Sequence, residues 1–161
     1  SDASVTITEY CDFQSPICVS MAAVVSNIYV NHPNEIRFVF RPVPLVGQLD
    51  KSELAIQAAL AADEQENFWN MYDVLFQKNT EWASLSPNDF KAWVTKEASG
   101  LGLDGDNFRA GRRRHVEAHG DQALSLWLWR ATAGTLHHAT GATMHRHCGW
   151  RGGPGTEPSG V

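Results

Sequence analysis

Alternating apolar and polar residues, rich in β-branched side chains, predict a strand over residues 5–10. Pro16 suits the first position of a helix, because the N–H that proline lacks would have no intrahelical partner there. Apolar residues at helical spacing carry this helix to residues 31–33, and residues 35–41 are predicted to form a second strand. A strand, a helix and a strand in this order predict a right-handed βαβ unit with parallel strands.

The next stretch of the chain is predicted to be helical. Apolar residues recur at helical spacing, Asn67 is placed to cap one helix, and Ser86 with Pro87 opens another. The predicted helices cover residues 51–66, 68–78 and 86–98, and a further one begins near residue 104. For a length of 161 residues we expect one α/β domain, with a βαβ part over residues 1–48 and a helical insert over residues 50–120.

Residue composition changes after residue 110. All seven Phe, all three Tyr and every Ile, Asn and Lys precede this point, whereas six of the seven His follow it. Residues 121–161 are predicted to be a divergent, partly disordered tail, because they contain no clear strand and end in a run rich in Gly and Pro. One hypothesis is that the residues beyond about 110 come from a shifted reading frame, and resequencing the gene would test it.

Charge and hydropathy exclude several classes of function. The net charge of −5 gives no electrostatic argument for nucleic-acid binding. No apolar run approaches the ~20 residues that a membrane-spanning helix needs.

A metal site is not expected, since structural sites usually have paired, regularly spaced ligands. Five residues of the tail are weak candidates for adventitious metal binding: His137, His138, His145, His147 and Cys148.

The segment that joins the first strand to the helix carries the most informative chemistry. It reads Glu9-Tyr-Cys-Asp-Phe-Gln-Ser-Pro-Ile-Cys18. Two cysteines spaced C-x-x-C at a helix start can form a redox pair, because the helix dipole and unpaired N–H groups favour a thiolate at the first position. The second cysteine then resolves the mixed disulfide. Here Ser15 occupies the first position and Cys18 the second.

Four segments in this order and spacing resemble the DsbA-like thioredoxin family over roughly residues 5–110. They are residues 5–18, the run Arg37-Phe-Val-Phe-Arg-Pro-Val-Pro-Leu45, the Ala-rich helix, and Asn67-Phe-Trp-Asn-Met-Tyr-Asp-Val-Leu-Phe76. The resemblance implies a thioredoxin-like fold with an inserted helical domain. The family closes its fold with a cis-proline loop, two strands and a helix. Residues 140–144 are the nearest candidate for that loop and lack the proline, so we expect the C-terminal strands to be degraded or missing.

The resemblance also implies roles for four site residues. Ser15 matches the nucleophilic cysteine of the family, Pro16 and Ile17 match the intervening dipeptide, and Cys18 matches the resolving cysteine. A serine hydroxyl cannot enter thiol–disulfide exchange, so the two-cysteine cycle is not expected to run between these positions. Cys11, at the strand end, is expected to be a packed or incidental thiol rather than a catalytic one. A Cys11–Cys18 disulfide stays open as an alternative, which requires a Cα separation below ~7 Å.

The implied function is the formation or shuffling of disulfides in exported proteins, in a form that Ser15 leaves inactive or trapped. Expected partners are thiol or disulfide client proteins and a redox partner, without nucleic acid, and with a membrane only through an N-terminal anchor outside this sequence. The expected location is therefore extracytoplasmic. No cofactor is expected, since the thiols hold the redox equivalents.

Two alternatives stay open. One is a redox-inactive thioredoxin-fold module that binds clients. The other is a glutathione-dependent enzyme that resembles kappa-class transferases and hydroxychromene carboxylate isomerases, in which Ser15 would hydrogen-bond the glutathione thiolate.

Overall fold

A computed structural model describes residues 3–32 and 34–117 of the chain. Strand β1 (Val5–Cys11), helix α1 (Pro16–Asn31) and strand β2 (Ile36–Pro42) come first. The two strands run parallel, with Val5 beside Ile36 and Cys11 beside Pro42. The predicted parallel βαβ unit is therefore confirmed. The predictions for the closing strands, the tail and its metal candidates lie outside the described residues.

Five helices follow the second strand. They are α2 (Ser52–Asp63), α3 (Phe68–Gln77), α4 (Asn79–Trp82), α5 (Pro87–Gly100) and α6 (Gly105–Glu117). Four of them match the predicted helices to within a few residues, whereas the short α4 was not predicted. Within the described residues, no helix has the length and apolar character needed to cross a membrane.

The two expected helix caps differ in outcome. The Ser86 hydroxyl accepts a hydrogen bond from the backbone N–H of Asp89 at 3.2 Å, so the predicted start of α5 is confirmed. Asn67 also precedes its helix, but its side chain accepts no hydrogen bond from the N–H groups of α3. Its Oδ1 instead accepts from the Asn70 side chain at 2.7 Å. Asn67 is therefore the N-cap residue of α3 by position, but the predicted side-chain cap does not form, since its backbone (φ −121°, ψ 23°) departs from the extended cap conformation.

An aromatic cluster packs α3 against the sheet. The Tyr72 ring of α3 lies 4.9 Å from the Phe40 ring of β2 and 4.8 Å from Phe76, measured between centroids. Phe13, in the turn between β1 and α1, lies 5.1 Å from Phe40 and 5.0 Å from Phe76. Six side chains of residues 68–76 are buried, as the helical spacing of their apolar residues predicts. The cluster therefore anchors the β1–α1 turn to the helical block.

Helix α6 crosses the change in composition at residue 110 without a break. Gly111 is buried against α2, where a Cβ would lie 3.0 Å from the Ala61 Cβ. The His115 ring lies 3.1 Å from the Glu64 carboxylate, which also pairs with Arg114. The chain therefore continues to pack as a domain through residue 117, while the reading-frame hypothesis and the division into three parts stay predictions.

Candidate functional site at the first strand–helix junction

The predicted site residues lie at the junction of β1 and α1. Ser15 is the N-cap residue of α1, with an extended backbone (φ −73°, ψ 124°), and Pro16 occupies the first helical position. The Ser15 side chain is buried and makes no capping hydrogen bond. Ile17 is 78% exposed, whereas Cys18 faces the interior. Ser15 and Cys18 thus share the first turn of α1 in the expected order, and both residues of the intervening dipeptide, Pro16 and Ile17, are exposed.

Cys18 is joined to Cys11 by a disulfide. Cys11 is the last residue of β1, and its Cα lies 5.6 Å from that of Cys18, seven positions along the chain. Both cysteines are nearly buried, at 9% and 8% exposure. This Cα separation is below the ~7 Å limit for a disulfide. Of the two alternatives left open for Cys11, the disulfide is the one present, because the turn after β1 folds back and brings the two sulfur atoms together.

Asp12 organises the turn between the two cysteines. Its buried carboxylate accepts hydrogen bonds from the backbone N–H of Gln14 at 2.7 Å and of Leu45 at 2.7 Å. Its own backbone carbonyl accepts from the N–H of Ser15 at 3.1 Å. Its backbone N–H donates to the Sγ of Cys18 at 3.3 Å. One residue therefore closes the turn, ties it to the segment after β2 and contacts the disulfide.

Gln14 connects this turn to the start of the helical block. Its Oε1 accepts from the backbone N–H of Lys51 at 2.8 Å, and its Nε2 donates to Oδ1 of Asp50 at 3.0 Å. The Lys51 ammonium lies 2.5 Å from the same carboxylate. The hydrogen bonds that the Asp50 carboxylate receives, first from the Lys51 ammonium and second from the Gln14 amide, lower the pKa of Asp50. Because the Asn79 side chain also donates to the Phe13 carbonyl at 3.0 Å, the turn is fixed from several elements.

A buried carboxyl group lies close to this site and was missed from the sequence. Glu9 faces the interior from β1, two residues before Cys11, and is 8% exposed. The Tyr72 hydroxyl donates to its Oε2 at 3.4 Å, while its Oε1 has no hydrogen-bond partner within the described part of the chain. Burial raises the pKa of Glu9, and the Tyr72 hydrogen bond opposes that effect. The available signal was an acidic residue at an inward position of the strand, in phase with Ile7 and Cys11.

Several apolar residues in the segments beside the junction are exposed. Tyr10 precedes Cys11 and is 68% exposed. The segment after β2 lies alongside, because the Val43 N–H donates to the Cys11 carbonyl at 2.9 Å and the Leu45 N–H donates to Asp12. Val43 and Leu45 are themselves exposed. Tyr10, Ile17, Val43 and Leu45 are thus exposed apolar residues in the segments that adjoin the two cysteines.

Comparison with known proteins assigns the chain to a family. A protein-family model described as Thioredoxin matches residues 1–123. The chain belongs to the thioredoxin family. A solved thioredoxin-like oxidoreductase from Silicibacter pomeroyi DSS-3 has a similar structure, with a TM-score of 0.58 and 28% identity over 79% of this chain and 67% of that chain. The α/β thioredoxin-like fold and the DsbA-like resemblance are therefore confirmed.

Curated relatives of this thioredoxin-family chain include proteins of two kinds. The Na⁺/H⁺ antiporter NhaA 3 of Salinispora tropica is 36% identical over 108 residues, which are 67% of this chain but 15% of the antiporter. The probable disulfide bond formation protein D of Bacillus anthracis is 25% identical over 100 residues, or 60% of this chain and 42% of that protein. The chain thus spans only a small part of the antiporter and less than half of the second relative.

Proposed function

We propose that this chain is a DsbA-like thiol–disulfide oxidoreductase that acts at the β1–α1 junction and forms or shuffles disulfides in exported proteins. The observation that carries the proposal is the disulfide between Cys18, in the first turn of α1, and Cys11, at the end of β1. A sulfur at this point lies where helix N–H groups favour negative charge, as exchange chemistry requires. The similarity to a thioredoxin-like oxidoreductase supports the same class.

Exposed apolar residues near the disulfide support a polypeptide client. Unfolded chains expose apolar side chains, and the exposed side chains of Tyr10, Ile17 and Val43 are available to contact them. A reoxidising or reducing partner and an extracytoplasmic location are parts of the same proposal.

Ser15 blocks the ordinary cycle of the family in this proposal. The hydroxyl cannot form a mixed disulfide, so Ser15 and Cys18 cannot exchange electrons with a client. The turn that holds Ser15 is in place: Asp12 closes it and Pro16 starts the helix. A sulfur at this position should therefore raise exchange activity.

The reduction of insulin by a thiol reductant tests whether the motif positions can exchange disulfides. In the double variant Cys11→Ala/Ser15→Cys, a disulfide can form between position 15 and Cys18. This variant should accelerate insulin precipitation relative to Cys11→Ala alone. The matched control is Cys11→Ala/Ser20→Cys, which adds a thiol on the exposed side of the same helix. If the motif variant is no faster than this control, the claim that Ser15 is what blocks the cycle at the motif is wrong.

A second candidate is a redox-inactive binding module within a longer protein. It is favoured by the match to antiporters over only 15% of the length of NhaA 3 of Salinispora tropica, since a related segment there is part of a much larger chain. A thioredoxin-family chain with Ser15 in the motif could hold a client without exchanging disulfides. No gain in the insulin assay would favour this module. Glutathione use through Ser15 stays a prediction that calorimetry with reduced glutathione would test.

A further inference from the structure

The disulfide at the junction joins a different pair of residues from the two motif positions. We propose that Cys11 and Cys18 are themselves the redox couple of this chain, and that they oxidise dithiol polypeptides. This inference rests on the proposed function and names the sulfur atoms that perform it. The two Cα atoms lie 5.6 Å apart across the strand–helix junction, so the pair can close without Ser15.

Cys18 has the environment of the leaving group. It is the third residue of α1, where backbone N–H groups have no intrahelical partner and the helix dipole favours negative charge. The Asp12 N–H also donates to its Sγ at 3.3 Å. Both effects stabilise a thiolate on Cys18. Since a stabilised thiolate leaves faster, a client sulfur is expected to attack Cys11.

The exchange balances with a client dithiol alone. The first client thiolate attacks Sγ of Cys11, the Cys11–Cys18 bond breaks, and Cys18 leaves as a thiolate. The second client thiolate then attacks the client sulfur of this mixed disulfide, and Cys11 leaves in turn. Two electrons pass from the client to the protein, the client gains a disulfide, and both protein thiolates take up the protons that the client thiols released.

The turn has supports that do not depend on the disulfide. Its shape is held by hydrogen bonds to the Asp12 carboxylate from Gln14 and Leu45, and by the hydrogen bond from Ser15 to the Asp12 carbonyl. Gln14 is further held by the N–H of Lys51. Opening the disulfide therefore leaves the junction in place. A redox couple needs this property, because its reduced form must persist between two exchanges.

The test follows a single turnover under anaerobic conditions. The oxidised chain, carrying Cys148→Ser to remove the third thiol, is mixed with a reduced synthetic peptide that contains two cysteines, and the peptide disulfide is measured after an acid quench. We expect up to one equivalent of peptide to be oxidised per protein, and the same yield from the control Ser20→Ala. Cys11→Ala should oxidise none. Cys18→Ala, exposed to oxidised glutathione, should retain one glutathione on Cys11 by intact mass.

The outcomes separate this inference from the proposed function. If the oxidised chain leaves the peptide reduced while Cys11→Ala/Ser15→Cys, in the same background, oxidises it, the oxidoreductase proposal stands and the Cys11–Cys18 couple is overturned. If neither protein oxidises the peptide, both are wrong. Oxidation of the peptide by Cys11→Ala alone would also overturn the couple, because that variant lacks its disulfide. Circular dichroism confirms that each variant is folded.

Discussion

Reduction of the Cys11–Cys18 disulfide should lower the free energy of unfolding by a predictable amount. The bond closes a short loop, because Cys18 follows Cys11 by seven positions in the sequence. The loop-entropy relation then gives about 2.5 kcal/mol of destabilisation of the unfolded chain in the oxidised form. For a chain of this size, that difference corresponds to a shift of roughly 5 to 10 °C in Tm. The hydrogen bonds of Asp12 remain in the reduced form, so little native structure should be lost with the bond.

Urea denaturation followed by tryptophan fluorescence measures this difference. The Cys148→Ser chain is unfolded with and without a phosphine reductant at mildly acidic pH, where thiols are neutral. The m-value should rise on reduction, because the unfolded chain is no longer restricted by the loop. The control Cys11→Ala/Cys18→Ala should give the same curve in both conditions. A difference below about 1 kcal/mol, or a more stable reduced form, would refute the loop-entropy reasoning.

Three further predictions concern the surroundings of the site. Phe13→Ala should cost about 3 to 5 kcal/mol by chemical denaturation, because the ring is fully buried in the aromatic cluster, and Phe13→Leu should cost less; equal losses would contradict the packing argument. The raised pKa of Glu9 means that the folded chain holds a proton that the unfolded chain has released, so stability should fall as pH rises from the usual glutamate pKa through the raised one. Glu9→Gln should flatten this fall in a series of melts across pH, and an unchanged slope would exclude Glu9 as its source. Gly111→Ala should cost about 1 to 3 kcal/mol, since the new Cβ would lie 3.0 Å from that of Ala61, whereas Gly100→Ala has open space and should stabilise by about 0.4 to 1 kcal/mol; similar effects at both positions would argue against close packing of α2 and α6.

Local signals were sufficient for the elements that frame the site. The strand over Val5–Cys11 follows from alternation with period two, and the start of α1 follows from the fixed φ and missing N–H of Pro16. These signals depend on neighbouring residues only. The motif itself was equally local, which is why Ser15 and Cys18 fell at the expected turn. Helix α4 was missed because its support is not local: the Trp82 indole donates to the Leu75 carbonyl, and its ring packs on Phe90.

The sequence by itself determined the parallel βαβ unit, the family and the place of Ser15 and Cys18 at the start of α1, because each depends on residue types at short spacing. Only the tertiary structure decided which cysteine would partner Cys18 and which acid would be buried. The pairing depends on how the Asp12 turn folds the chain back onto β1, through hydrogen bonds to residues as distant as Leu45. The burial of Glu9 depends on Tyr72, 63 positions away. Such contacts form only when the helical block packs on the sheet, and the propensities of neighbouring residues do not predict them.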